Sequence, residues 1–237
     1  YKLGDISIVP ACGPEYSLCV TKGYTVSVTA LLQLSIEMGE REGNTRLASI
    51  LRGDLEKLPS RLKHTLDKNE DMVRDLGKKL RDKIDFFISG SGPNFATALE
   101  SAIKMKETSY VHCEGAETEE LIHGPTLTFD KRTVIIPIAI SKASYDRSLD
   151  LIRGAKITRC TTIGLLSETI EHPTDFFNET IAIPKIHEEL SPVCCIAPLQ
   201  LFSYYLAVEK GANPDLLRLE IPEYAEAASV FFPPGSH

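Results

Sequence analysis

The sequence predicts an α/β fold, a doubly wound parallel sheet with helices on both faces, over about residues 82–210. Two patterns and one turn carry this expectation. Short apolar runs recur at Asp85–Ser89, Thr133–Ala139, Ile157–Leu165 and Glu179–Ile183, with helical patterns between them. The runs are nearly continuous rather than alternating in polarity, as strands covered on both faces are. Gly90-Ser91-Gly92-Pro93 separates the first run from the helix after it, which is the punctuation of a tight βα turn.

The elements follow in order along the chain. Ile6-Ser7-Ile8-Val9-Pro10 is a strand-like run, Gly13-Pro14-Glu15 a polar turn, and about Ser17 to Met38 a helical stretch. Residues 39–45 are a polar connector. From about Arg46 to Lys83, leucines at 51, 55, 58, 62, 66, 76 and 80 recur at helical spacing among charged residues. A helix is expected from Asn94 to Tyr110 and another from about Tyr145 to Gly154. A long one is expected from Pro192 to Lys210, closed by Gly211 with Pro214 beyond it.

Composition narrows the class. With 237 residues, 43% hydrophobic, the chain can bury a sizeable core. Its net charge of −7 argues against a broad phosphate-tracking face, so no nucleic-acid partner is expected. Apolar stretches such as Val134–Ile140 are too short to span a bilayer, and no secretory signal is visible, so no membrane partner is expected. The six cysteines form no C-x-x-C pair and fit reduced thiols in a cytoplasmic protein. No metal pattern and no cofactor motif is found.

Three groups of residues could carry chemistry. Ser89-Gly90-Ser91-Gly92 follows a strand and opens a helix, where backbone N–H groups favour an anion; a ligand-free turn has the same sequence. Glu100, Lys104 and Glu107, at offsets of four and seven, share one helix face, where a carboxylate beside a lysine could move protons or form an ordinary surface pair. His123, before Gly124-Pro125 and after Glu117, Glu119 and Glu120, suits either a proton carrier or a structural cap.

Together these residues are more specific than separately. The Gly-x-Gly turn, Ala98-Leu99-Glu100-x-Ala102-x-Lys104-x-Lys106-Glu107-x-Ser109-Tyr110 and Glu120-x-x-His123-Gly124-Pro125 resemble the second sugar-isomerase (SIS) domain of the glutamine–fructose-6-phosphate aminotransferase family. Pro198-Leu199-Gln200-Leu201, Tyr204-Tyr205 and Gly211-x-Asn213-Pro214-Asp215 resemble its late helix and the segment after it. Gly13-Pro14-Glu15 and Thr21-Lys22 resemble the end of the family's first SIS domain.

The resemblance implies a three-layer sandwich, with residues 1–45 the end of a first SIS domain and 46–237 a second one with a C-terminal tail. It implies a sugar-phosphate substrate, a homodimer, and isomerisation, deamination or deglycation of an amino-sugar or fructosamine 6-phosphate without glutaminase activity. A sensing module without catalysis is the alternative. Glu107 matches the family's general base, and His123 its ring-opening histidine, supplied by a partner subunit. Ser89, Ser91, Glu100, Lys104, Val20 and Thr21 are the implied substrate-binding positions. The family's imine-forming lysine falls at or near Ala228, and Glu226–Val230 carries none.

Overall fold

The computed structural model describes residues 5–233; the outermost residues at both ends of the predicted two-unit division lie outside them. Helix α1 (Lys22–Arg41) leads to α2 (Thr45–Glu56) and α3 (Leu58–Leu80). Then follow β1 (Asp85–Gly90), α4 (Pro93–Ser109), β2 (His112–Ala116) and the short α5 (Thr118–Ile122). A 3-10 turn, β3 (Thr133–Ala139), α6 (Lys142–Ile157), β4 (Thr161–Ser167) and β5 (Glu179–Ile183) come next, before α7 (Ser191–Glu209) and α8 (Pro222–Phe231).

All five strands are parallel, in the order β2-β1-β3-β4-β5. The strand order reverses between β1 and β3, so the chain winds outward in both directions from that pair, as predicted. Side chains alternate across the sheet. Phe86 and Ile88 of β1 and Val134, Ile136 and Ile138 of β3 pack with α3, α4 and α7. Phe87, Ile135 and Ala139 face α6, Leu121 of α5 and Phe129. Phe86 and Phe202 are almost fully buried, each worth about 2–3 kcal/mol of hydrophobic burial. At the sheet edge, Asn69 of α3 donates to the Ala182 carbonyl at 2.9 Å and accepts from the Ala182 N–H at 2.9 Å, occupying backbone groups that an edge strand leaves open.

Several sequence expectations need correction. Residues 6–10 form no strand, and α1 begins at Lys22 rather than Ser17. The helical stretch from Arg46 breaks at Lys57, because Pro59 in the first turn of α3 lacks the N–H that would continue α2. The strand expected from Ile157 begins at Thr161: α6 runs through Ile157 and the chain reverses at Arg159, whose φ is 66°. Strand β2 was not foreseen. His112-Cys113-Glu114-Gly115-Ala116 has weak strand propensity and alternates exposed and buried only at the sheet edge.

Candidate functional site

Helix α4 packs so closely on the sheet that two glycines are obligatory. A Cβ on Gly90 would meet the Asn94 carbonyl oxygen at 2.2 Å, and one on Gly115 the Ala98 oxygen at 2.4 Å. This packing fixes the face that α4 turns toward α7 and the front of the chain. Lys104 on that face is only 4% exposed. Its Nζ donates to Glu107 Oε2 at 2.6 Å and lies 3.5 Å from Glu100 Oε1. An ammonium this deep needs counter-charge, and the two carboxylates provide it. The Glu107 side chain is 31% exposed and that of Lys104 5%, so the carboxylate meets solvent while the lysine is almost covered and borders only the small cavity beside it.

A cavity of about 210 Å³ opens over this cluster. Lys104 and Thr108 of α4 form one wall, and Gln200, Ser203 and Tyr204 of α7 another. Ser17, Cys19 and Thr21 come from the front of the chain, and Pro214 and Asp215 from the segment after α7. The front is tied in by Gln200, whose amide donates to the Thr21 carbonyl at 3.4 Å. It is held further by Leu18, whose N–H donates to the Asp215 carbonyl at 3.4 Å. Burial first, and then the charge of Glu107, push the Cys19 thiol up to about 11, so it is a neutral S–H in the cavity wall near neutrality. A larger hollow of about 500 Å³ lies between α1 and α2, but Leu32, Ile36, Leu47 and Leu51 make it largely apolar. The smaller cavity is lined by Lys104 and Asp215 and lies beside Glu100 and Glu107, which do not line it but pair with Lys104, and it is the better candidate for chemistry.

Thr21, Glu100, Lys104 and Glu107 are thus brought together or close by, whereas Val20 beside them is 41% exposed and does not line the cavity. Ser89 and Ser91 sit at the carboxyl end of β1 and His123 follows the short helix after β2, whereas Glu107 is near the far end of α4. About four turns of α4, or ~20 Å at 1.5 Å per residue, separate its start from Glu107. Ser91 donates to Glu117 Oε1 at 2.6 Å, and the buried Ser89 hydroxyl has no partner among the described residues. Burial raises the Glu117 carboxyl, but hydrogen bonds from Ser91 and the Glu119 N–H outweigh it and hold the group below its ordinary value. His123 follows α5 on an exposed turn, and its ring makes no hydrogen bond or ion pair among the described residues. The acidic residues before it are engaged elsewhere: Glu117 with Ser91, Glu119 with Arg147 at 3.4 Å.

Sequence reasoning missed Cys19, Gln200, Ser203, Tyr204 and Asp215 as parts of one site. The α7 residues carried a signal, since 200, 203 and 204 fall on one face of an otherwise apolar helix. Cys19 and Asp215 carried none, because only folding joins them. Among the described residues, no three His, Cys, Asp or Glu side chains converge as metal ligands do.

The model of the SIS domain family matches residues 79–210, from the end of α3 through α7. The chain belongs to the SIS domain family. It is 38% identical over 215 residues to the glutamine–fructose-6-phosphate aminotransferase [isomerizing] of Pyrococcus horikoshii, covering 90% of this chain and 35% of that protein. The corresponding Thermococcus kodakarensis protein is 34% identical over 217 residues, with 90% and 35% covered. The chain therefore spans about a third of the length of the curated relatives it matches. The C-terminal domain of glucosamine-fructose-6-phosphate aminotransferase from Francisella tularensis superposes with a TM-score of 0.79 at 24% identity, over 86% of this SIS chain and 57% of that one. That likeness establishes the three-layer α/β fold.

Proposed function

We propose that this SIS chain supplies the proton-moving half of a sugar-phosphate site, acting in aldose–ketose isomerisation or in deamination or deglycation of an amino-sugar or fructosamine 6-phosphate. The observation that carries the reading is the Glu100–Lys104–Glu107 cluster, with a buried ammonium 2.6 Å from a solvent-reachable carboxylate. The matched relatives are named as isomerizing aminotransferases, which fits this chemistry.

In this mechanism the Glu107 carboxylate takes the proton from the carbon beside the carbonyl of an open-chain sugar phosphate. The enediolate or enolamine that results receives that proton at the neighbouring carbon, the hydroxyl proton passes to the oxygen or nitrogen on the former carbonyl or imine carbon, and Glu107 returns to its ionised form. Lys104 stays protonated, orients Glu107 and offsets negative charge building at the substrate oxygen. His123 opens the sugar ring from a second copy of the chain, because within one copy it lies beyond the carboxyl ends of the strands while Glu107 lies near their amino ends. The working unit is a cytoplasmic homodimer.

The test is to incubate the protein with glucosamine 6-phosphate, fructose 6-phosphate and fructosamine 6-phosphates. Glu107→Gln is expected to lower turnover roughly 10²–10⁴-fold. Turnover by the wild type no higher than by Glu107→Gln would refute catalysis. One observation favours a sensing role instead: residues 211–237 contain no lysine, so none of them can form an imine with a keto sugar. Calorimetric binding of fructose 6-phosphate without turnover would identify a sensor.

A further inference from the structure

Three residues other than glycine adopt left-handed backbone conformations in one small region. They are Tyr110, the C-cap of α4 (φ 55°), Leu217 (φ 49°) and Arg218 (φ 63°). L-residues rarely hold such angles, and surrounding contacts must over-determine them where they do. Here the contacts form a closed set. The Tyr110 hydroxyl accepts from the Arg218 N–H at 2.9 Å and donates to the Asn213 carbonyl at 3.1 Å, bridging both ends of residues 213–218. The Arg218 guanidinium lies 4.5 Å from the ring centroid of Tyr110 and 4.5 Å from that of Tyr224 in α8. It also donates to the Tyr224 hydroxyl at 2.5 Å, while its Nε is buried without a partner among the described residues.

Between the two ends of this bridge lie Pro214 and Asp215, which line the cavity over Lys104. Arg218 itself does not line it. Tyr110 stands three residues beyond Glu107, so the bridge fastens these residues to the helix that carries the acid–base cluster. On the far side the Asp215 carbonyl accepts from the Leu18 N–H, next to Cys19, which is 3% exposed.

We propose that residues 213–221 form a strap across the candidate site, and that Arg218, clamped between Tyr110 and Tyr224, is the positioning residue that keeps the strap closed. An open strap withdraws Pro214 and Asp215 from the cavity and uncovers Cys19. The effect of the strap on sugar-phosphate affinity rests on the function proposed above; its cover over Cys19 does not.

Cys19 is therefore the reporter. The full chain with Cys12→Ser is treated with iodoacetamide near pH 8.5, and modification is followed at each cysteine by mass spectrometry. Arg218→Ala is expected to speed Cys19 modification at least about tenfold, because reaction tracks the open population, while Cys113 and Cys195 stay protected in the core. Arg218→Lys, which keeps a cation between the rings, restores most of the protection. Equal Cys19 rates in wild type and Arg218→Ala overturn the strap. If Arg218→Ala also exposes Cys113, Tyr110→Phe decides: it removes only the bridging hydroxyl, and a faster Cys19 supports the strap while an unchanged one overturns it. A parallel arm adds fructose 6-phosphate, which should protect Cys19 in the wild type and do so at higher concentration in Arg218→Ala. Exposure of Cys19 in Arg218→Ala without such protection in the wild type upholds the strap and refutes the sugar-phosphate reading.

Discussion

Lys104 and Glu107 show how one residue's setting decides another's role. Three residues apart on α4, the pair on an exposed helix would stabilise the fold by a few tenths of a kcal/mol. Packing against α7 and the front of the chain removes water from the ammonium and leaves the carboxylate reachable. The spacing was legible in the sequence; the burial was not, because the residues that cover Lys104 lie about 85 positions before it and 100 after it. Cys19 yields a prediction at this scale. A thiol alkylates through its thiolate, so with its ionisation pushed up to about 11 the Cys19 rate should climb about tenfold per pH unit and still be rising at pH 10. Burial is the main cause and the Glu107 charge the second. Removing that negative charge by Glu107→Gln lowers the pKa, and the Cys19 rate near pH 9 should increase. An unchanged pH–rate profile for Cys19 would show that the carboxylate does not act on this thiol.

Among the elements, α4 is the keystone. Its contact with β1 and β2 depends on two positions without a Cβ, and each of them contradicts simple strand propensity. Gly115→Ala places a methyl group against the Ala98 carbonyl and should destabilise the protein by about 2–3 kcal/mol in urea unfolding monitored by circular dichroism. Gly154→Ala on α6, where a Cβ would meet nothing within 4 Å, is the control and should be neutral or slightly stabilising. A cost at Gly115 no larger than at Gly154 would contradict the close approach. Buried strands β1 and β3 and helix α7 were legible because burial on both faces, or around a whole helix, leaves continuous apolar runs. Strand β2 and helix α8 were not. The first is an edge strand whose pairing with β1, not its residues, makes it a strand, and α8 has no buried residue to leave a pattern.

On the scale of the molecule, the residues implicated in the sequence divide between the two ends of the parallel strands. Glu107 holds the Lys104 ammonium beside the cavity near the amino ends of the strands, and His123 stands exposed beyond their carboxyl ends, with no hydrogen-bond or ion-pair partner among the described residues. If a second copy supplies the histidine, mixing inactive Glu107→Gln and inactive His123→Ala proteins should restore activity, up to about one quarter of the wild type in randomly exchanged dimers that have one intact site of two. No restoration after verified subunit exchange would mean that the histidine does not act across an interface. The sequence by itself determined the α/β class, most strand and helix positions, and the shared face of Glu100, Lys104 and Glu107 on α4, because periodicity and spacing are local properties of the chain. The tertiary structure alone decided which side chains share a cavity, that Lys104 is sealed while Glu107 is not, and that Ser89 and Ser91 stand apart from both. Those outcomes depend on contacts between residues as distant as Cys19 and Asp215, and no local pattern encodes a contact that forms only when the whole chain has closed.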